Sequence, residues 1–304
     1  MRIVIVGGTG FLGRALAASL GADSHEIVIL TRRPGGSRAA GVRFEHWTPD
    51  GTADGVAAAL DGADVVVNLA GESIAARRWT DAQKKKILDS RVNATRSLAA
   101  AIAAAAQPPS VFVSGSAVGY YGPRGGEPLT EATPAGSDFL ADVCVHWEAE
   151  AHHASSARTR VACIRTGLVL AKEGGALPPM LPPFRLFAGG PVGSGRQYWP
   201  WIHRDDWVGI VRHVIDQPRI TGPINATAPN PVTNAEFAMA LGRAMRRPSF
   251  MPAPSFALKL LLGEMAEALI LSGQRAMPVK AQQFGYRFEY ERVENALAAI
   301  FKQA

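Results

Sequence analysis

Residues 3–13, IVIVGGTGFLG, constrain this chain more than any other stretch. A β-branched apolar run, Ile3 to Val6, ends in glycines at positions 7, 10 and 13, and an Ala/Leu-rich segment of helical character follows from Arg14 to Leu20. The spacing predicts strand, tight turn and helix. Glycine is needed at each point: Gly7 lets the chain turn, Gly10 lets backbone N–H groups approach a pyrophosphate, and Gly13 lets helix and strand pack closely. A phosphate would then sit at the positive end of the helix. Gly7, Thr9, Gly10, Phe11, Leu12 and Gly13 are therefore expected to hold a dinucleotide.

The second strand, Glu26 to Leu30, is followed by Thr31-Arg32-Arg33-Pro34. An NAD site would place an acid near this strand end to hold the ribose 2′-hydroxyl. Two arginines stand there instead, and a guanidinium matches a phosphate through planar, bidentate, charge-assisted bonds. Arg32 and Arg33 thus point to NADP(H).

With 304 residues, 47% of them hydrophobic, the chain has room for one large α/β domain and a smaller appendage. Its net charge of +6 is scattered; the compact runs Arg77-Arg78 and Lys84-Lys85-Lys86 lack interleaved aromatics. They read as a solvated helix face or an anion-facing loop, with no nucleic-acid partner expected. Two cysteines, Cys144 and Cys163, imply no disulfide framework and point to a reducing cytoplasm. With a first strand expected so near Met1, no signal peptide is expected. The apolar stretch Phe256 to Leu271 is interrupted by Lys259, Glu264 and Glu267, so it reads as one amphipathic helix with Met265, Leu269 and Leu271 inward, and no membrane span is expected. No cluster with metal-ligand spacing is apparent.

Strands are expected at 42–46, 64–69, 110–114 and 160–165, with helices at 53–60, 81–106 and 142–154. The pattern is a Rossmann-type doubly wound parallel sheet with right-handed crossovers. Residues 174–201 are rich in Gly and Pro, as suits a long loop region over a cleft. The expected organisation is a nucleotide-binding domain at 1–247, carrying the substrate-side loops, and a small helical C-terminal domain at 248–304.

Beyond GGTGFLG, three further segments carry a resemblance: NLAG at 68–71, SGSAVGYYG at 114–122 and WIHRDDWV at 201–208. With them the chain resembles the extended short-chain dehydrogenase/reductases of the NAD(P)-dependent epimerase/dehydratase group. NLAGESIAARRW, DFLADVCVHWE, RTGLVLAKEGGALPPM and the C-terminal LGEMAEALILSGQRAMPVKAQQFGYRF resemble an atypical branch often labelled SulA-like epimerase proteins. The resemblance implies cofactor contacts at Leu69, Ala70, Gly71, Arg91 and Ser114.

The usual proton-handling set of that superfamily is a Ser or Thr after the fifth strand plus Tyr-x-x-x-Lys on the next helix. Ser116 stands at the serine position, where it is expected to hydrogen-bond a substrate carbonyl. The Tyr and Lys positions fall on Leu140 and Cys144, or one residue earlier on Phe139 and Val143, so the pair is absent. The candidate replacements are Tyr120, with its neighbour Tyr121, and Glu72, whose carboxyl follows the NLAG turn. Cys144 reads more readily as a small core residue. His203 reads as structural, Asp205 or Asp206 is expected to cap the following helix, and Arg165 and Arg196 are candidates for contact with an anionic substrate.

Two readings remain open at this stage. One is an NADP-dependent, epimerase-like oxidoreductase with a non-standard proton donor, acting on a carbonyl compound or a nucleotide sugar. The other is a catalytically inactive NADP(H)-binding redox sensor or regulatory protein.

Overall fold

The computed structural model describes residues 1–32 and 41–302, so Arg33 lies outside the described residues. Seven strands form the central sheet: β1 (Arg2–Val6), β2 (Glu26–Thr31), β3 (Val42–His46), β4 (Val65–Asn68), β5 (Val111–Ala117), β6 (Arg160–Thr166) and β7 (Gly222–Ala226). Their order is β7-β6-β5-β4-β1-β2-β3, and every pairing is parallel. β1 and β4 are central, and Ile3–Val6 and Val65–Val67 are continuous apolar runs because a doubly covered parallel sheet buries both faces. Along β1 the alternation is visible: Ile3 and Ile5 join one core cluster and Val4 and Val6 the opposite one.

The first face is covered by α1 (Phe11–Gly21), and the second by α2 (Ala57–Leu60), α3 (Asp81–Ala104) and α4 (Phe139–His152). Thr80 caps α3 by accepting from Gln83 N at 3.2 Å, and Asp138 caps α4 by accepting from Ala141 N at 2.8 Å. α5 (Arg204–Asp216) lies beside α1 over Trp207, Val211 and Val214. A third cluster joins Trp199, Trp201, α6 (Asn234–Met245) and the last helix, residues 293–302, through Phe237, Leu241 and Leu297.

Four expectations are corrected here. The sheet has a seventh strand, β7, which its sequence GPINA does not announce. The helix expected over 53–60 is confined to α2. Residues 256–271 are not one helix. α7 (Ser255–Leu262) stops at Gly263, whose φ of +63° is a left-handed conformation, and the chain resumes as a second short helical segment, Glu264 to Leu271, whose last turns are π-helical. Met265 is buried against Trp79, Ile87 and Val143 and Leu269 is half-buried there, whereas Phe256, Leu260 and Leu261 on α7 are exposed. The fourth correction concerns the cap of α5. His203 Nδ1 accepts from Asp205 N at 3.2 Å, so the histidine is the cap. The buried Asp206 carboxylate instead accepts from Tyr286 Oη (3.0 Å), Glu289 N (2.8 Å) and Tyr290 N (2.9 Å), pinning the C-terminal segment to the sheet domain.

Lys84 on α3 pairs with Glu264 at 2.5 Å and lies over the Phe139 ring, so the basic run also ties α3 to the segment after Gly263. Among the described residues no helix is long and apolar enough to cross a membrane, and no group of three or more His, Cys, Asp or Glu side chains is placed to hold a metal ion.

Candidate functional site

The carboxyl ends of β1, β4, β5 and β6 open into a cavity of about 510 Å³, the crevice where doubly wound sheets bind ligands. Its floor is the glycine turn. Gly7 has φ +77°, and a Cβ added there would lie 2.7 Å from the Leu69 carbonyl carbon. A Cβ on Gly13 would lie 2.3 Å from the Gly7 carbonyl oxygen, so strand and helix meet at a distance only glycine permits. α1 starts after Gly10 with no side-chain cap and no acid in its first turn. That leaves the positive end of the helix facing the cavity, which fits a pyrophosphate.

The turn after β4 forms the next wall. Asn68 Nδ2 donates to Thr95 Oγ1 at 2.8 Å, and Asn68 Oδ1 accepts from Ala70 N at 3.1 Å, fixing Leu69–Gly71. Arg91 Nη1 donates to the carbonyls of Glu72 and Ile87, both at 3.0 Å, and the guanidinium lies over the Trp147 ring at 5.2 Å. Burial lowers the Arg91 pKa, partly offset by the neighbouring Cys144 and Glu72.

Gly7, Gly10, Phe11, Leu12, Gly13, Leu69, Gly71, Arg91 and Ser116 all line this cavity. Thr9, Ala70, Glu72, Ser114 and Tyr120 are not on its wall, nor is Arg32, which is exposed at the end of β2. Ser114 is fully buried and its Oγ donates to the Gly115 carbonyl at 3.2 Å. Tyr120 is stacked on the Arg165 guanidinium at 3.4 Å.

Ser116 is already engaged. Its Oγ donates to Glu148 Oε1 at 2.6 Å, and Arg165 grips the same carboxylate through Nε and Nη2, each at 2.8 Å. Arg165 Nη1 also donates to Tyr121 Oη at 3.0 Å, and Tyr121 in turn donates to Asn225 Oδ1 at 2.6 Å. Burial works against the Arg165 charge, but the Glu148 carboxylate outweighs it and raises the pKa; burial pushes the Tyr121 phenol up to about 12. The structure therefore corrects two expectations. Arg165 is sealed in an internal ion pair, and the hydroxyl proton of Ser116 points at Glu148, leaving its lone pairs as acceptors for the cavity. Arg196 is exposed and off the wall.

Leu140, Val143 and Cys144 on α4 face the cavity, so the surface where a tyrosine and a lysine would handle protons is apolar. Cys144 Sγ donates to the Ala117 carbonyl at 3.6 Å, and burial, with Glu148 nearby, pushes its thiol up to about 11. It stays protonated at neutral pH and is a poor nucleophile.

The far wall comes from Tyr198-Trp199-Pro200, inside the Gly/Pro-rich stretch expected over a cleft, and from Ala268, Leu269 and Ser272 to Gln274 in the C-terminal region; sequence reasoning named none of these as site residues, though Leu269 was expected to face inward. A Cβ on Gly273 would lie 2.0 Å from the Tyr198 carbonyl oxygen, so these segments touch backbone to backbone. Ser116, Cys144 and Ser272 (Oγ to the Ala268 carbonyl, 3.5 Å) are committed within the chain, as is Thr166, which donates to the Ile164 carbonyl. The Tyr198 phenol makes no such bond among the described residues.

Comparison with known proteins agrees with this geometry. Residues 3–226 match the model of the NAD dependent epimerase/dehydratase family, and residues 253–300 match a domain of unknown function, DUF1731. A relative from Arabidopsis thaliana, the chloroplastic homolog of epimerase family protein SDR39U1, is 42% identical over 99% of this chain and 87% of its own length. The human SDR39U1 crystal structure with NADPH superposes with a TM-score of 0.91 at 38% identity, covering both chains completely. A nucleoside-diphosphate sugar epimerase from Corynebacterium glutamicum gives 0.80 at 37% identity, over 99% of this chain and 58% of that one. A glycine cradle under the central strands, a cavity at their carboxyl ends and full-length similarity of this order agree: the chain belongs to the NAD-dependent epimerase/dehydratase family.

Proposed function

We propose that this protein is an NADP(H)-dependent oxidoreductase of the extended short-chain type that works without a tyrosine-lysine pair. The observation carrying the reading is the uncapped, glycine-lined start of α1 opening into a cavity whose α4 wall offers Leu140, Val143, Cys144 and Trp147 and neither a tyrosine nor a lysine. The NADPH bound in the human relative supports the same cofactor here. When bound, NADPH supplies a hydride that, with one proton, turns a carbonyl into an alcohol and leaves NADP⁺.

The chain's own residues divide the remaining work. Backbone N–H groups between Gly7 and Gly13 receive the pyrophosphate, with Leu12 and Phe11 walling it. Arg32 and Arg33 take the 2′-phosphate. Arg91 holds the Gly71–Glu72 turn in place and is the cation beside the reacting end. Ser116 accepts a hydrogen bond from a ligand hydroxyl, its own proton being held by Glu148. Tyr198 donates to the substrate oxygen. Glu72 and Tyr120 support the walls from behind. Two buried free cysteines fit a reducing compartment, and we place the protein in the cytoplasm.

A second reading, an NADP(H)-binding sensor without turnover, is favoured by the apolar α4 wall. The test is to titrate the purified protein with NADPH by calorimetry and then follow NADPH absorbance with carbonyl substrates. Binding with turnover supports the enzyme. Stoichiometric binding without turnover supports the sensor, and absence of binding removes both.

A further inference from the structure

We propose that the substrate is an uncharged, largely hydrocarbon ketone or aldehyde (or the matching alcohol) and not a nucleotide sugar; this rests on the oxidoreductase reading above. Among the described residues lining the cavity, Arg91 alone carries a charge. It stands by Gly71, on the cofactor side, with its guanidinium spread over Trp147 and Nη1 bonded to two backbone carbonyls. A nucleoside diphosphate brings a second pyrophosphate, and an anion taken out of water needs cationic or N–H partners. The neighbouring arginines do not supply them. Arg165 is closed off by Glu148, Arg124 is bonded to the carbonyls of Tyr121, Pro134 and Ala135, and Arg275 lies over the Tyr198 ring outside the wall.

What the far half offers is hydrocarbon: Ile74, Leu140, Val143, Trp199 and Leu269 face the space beyond the glycine cradle. Polar side chains there are few and uncharged: Ser73, Tyr198, Ser272 and Gln274. An apolar cavity with a small number of orienting polar groups is the usual form of a site for a neutral small molecule. The whole cavity is about 510 Å³, part of which a nicotinamide takes, so the substrate is compact. A ketone reduced here gains a hydride at carbon from NADPH and a proton at oxygen, giving one alcohol and one NADP⁺ for each NADPH consumed.

The test uses the full chain. NADPH affinity is measured first by calorimetry, so failure of the cofactor reading is seen on its own. The protein saturated with NADP⁺ is then titrated with 1-tetralone, with 1-tetralone-6-carboxylate and with UDP-glucose. The neutral ketone is expected to bind at least about tenfold more tightly than its carboxylate, with no binding of UDP-glucose. Leu269→Arg, which adds a cation to the far wall, is expected to reverse the preference between the two tetralones. That is a gain a folding defect cannot produce. Equal or tighter binding of the carboxylate or of UDP-glucose by the unaltered protein overturns the proposal, as does absence of tetralone binding to a protein that holds NADP⁺.

Discussion

The two ends of the cavity are built from different materials. The cradle end is backbone: Gly7, Gly10 and Gly13 fall within one seven-residue stretch, and Cβ atoms at Gly7 and Gly13 would collide with main-chain atoms. The far end is side chain: α4 and residues 198–200 and 268–274 meet there after long crossings of the sheet. A backbone-built site is fixed by a short contiguous motif and tolerates little change. A side-chain-built site keeps its shape while its chemistry is rewritten, here from proton-handling groups to leucine, valine and a protonated cysteine.

The largest expected effect lies beneath the side-chain end. Arg165→Met leaves Glu148 charged, buried and unpaired, and is expected to cost about 3–5 kcal/mol of stability in urea denaturation. Adding Glu148→Leu removes the orphaned charge and is expected to restore much of that loss. If Arg165→Met alone is as stable as the parent, the buried pair is not what supports this wall.

Turnover separates the ends next. Tyr198→Phe is expected to slow NADPH oxidation by about ten- to a hundredfold while leaving NADPH affinity within about twofold, as loss of a proton-donating hydroxyl would. Cys144→Ala is expected to be nearly silent in the same assay. A dead Cys144→Ala beside a fully active Tyr198→Phe would assign the proton to the thiol.

Some of this was legible beforehand. β1, β4 and β5 announced themselves as continuous apolar runs, and the glycine turn fixed the cofactor end. β7 did not, because Gly222 and Pro223 are poor strand formers and the strand is held by its parallel pairing with β6. The break at Gly263 was hidden because apolar residues recur at helical spacing on both sides of it. Ser116, Glu148 and Arg165 sit on β5, α4 and β6; each reads alone as an ordinary polar residue, and only their convergence shows that the serine proton is committed. Tyr198 and Leu269 are far in sequence from the cradle they face, a distance local pattern does not span.

A smaller effect tests the cradle's rim. Arg32→Ala is expected to weaken NADPH about tenfold, the loss of a charge-assisted contact to phosphate, with NADH affinity hardly changed. Equal losses for both cofactors, read by calorimetry, would take the 2′-phosphate away from this residue.

The smallest expected effect is on pH dependence. Burial lowers the His203 pKa from the ordinary 6.5, against the pull of Asp205 and Asp206. Below pH 6.5 the unfolded chain therefore takes up a proton that the folded cap resists, and this contribution to stability is lost as pH falls toward the depressed folded value. His203→Asn, which retains a capping group, is expected to flatten that part of the stability profile. An unchanged profile would mean that the cap titrates normally.

The division between the two ends is tested most directly by the dissociation constant for NADPH in three proteins: the parent, Gly13→Ala and Leu269→Ala. A Cβ at Gly13 would lie 2.3 Å from the Gly7 carbonyl oxygen, whereas Leu269 is on the far wall. One-to-one binding is expected for the parent, an affinity within about twofold for Leu269→Ala, and a loss of at least about tenfold for Gly13→Ala, since overpacked backbone must shift to relieve the clash. Unchanged affinity in Gly13→Ala, or an equal loss in both variants, would contradict it.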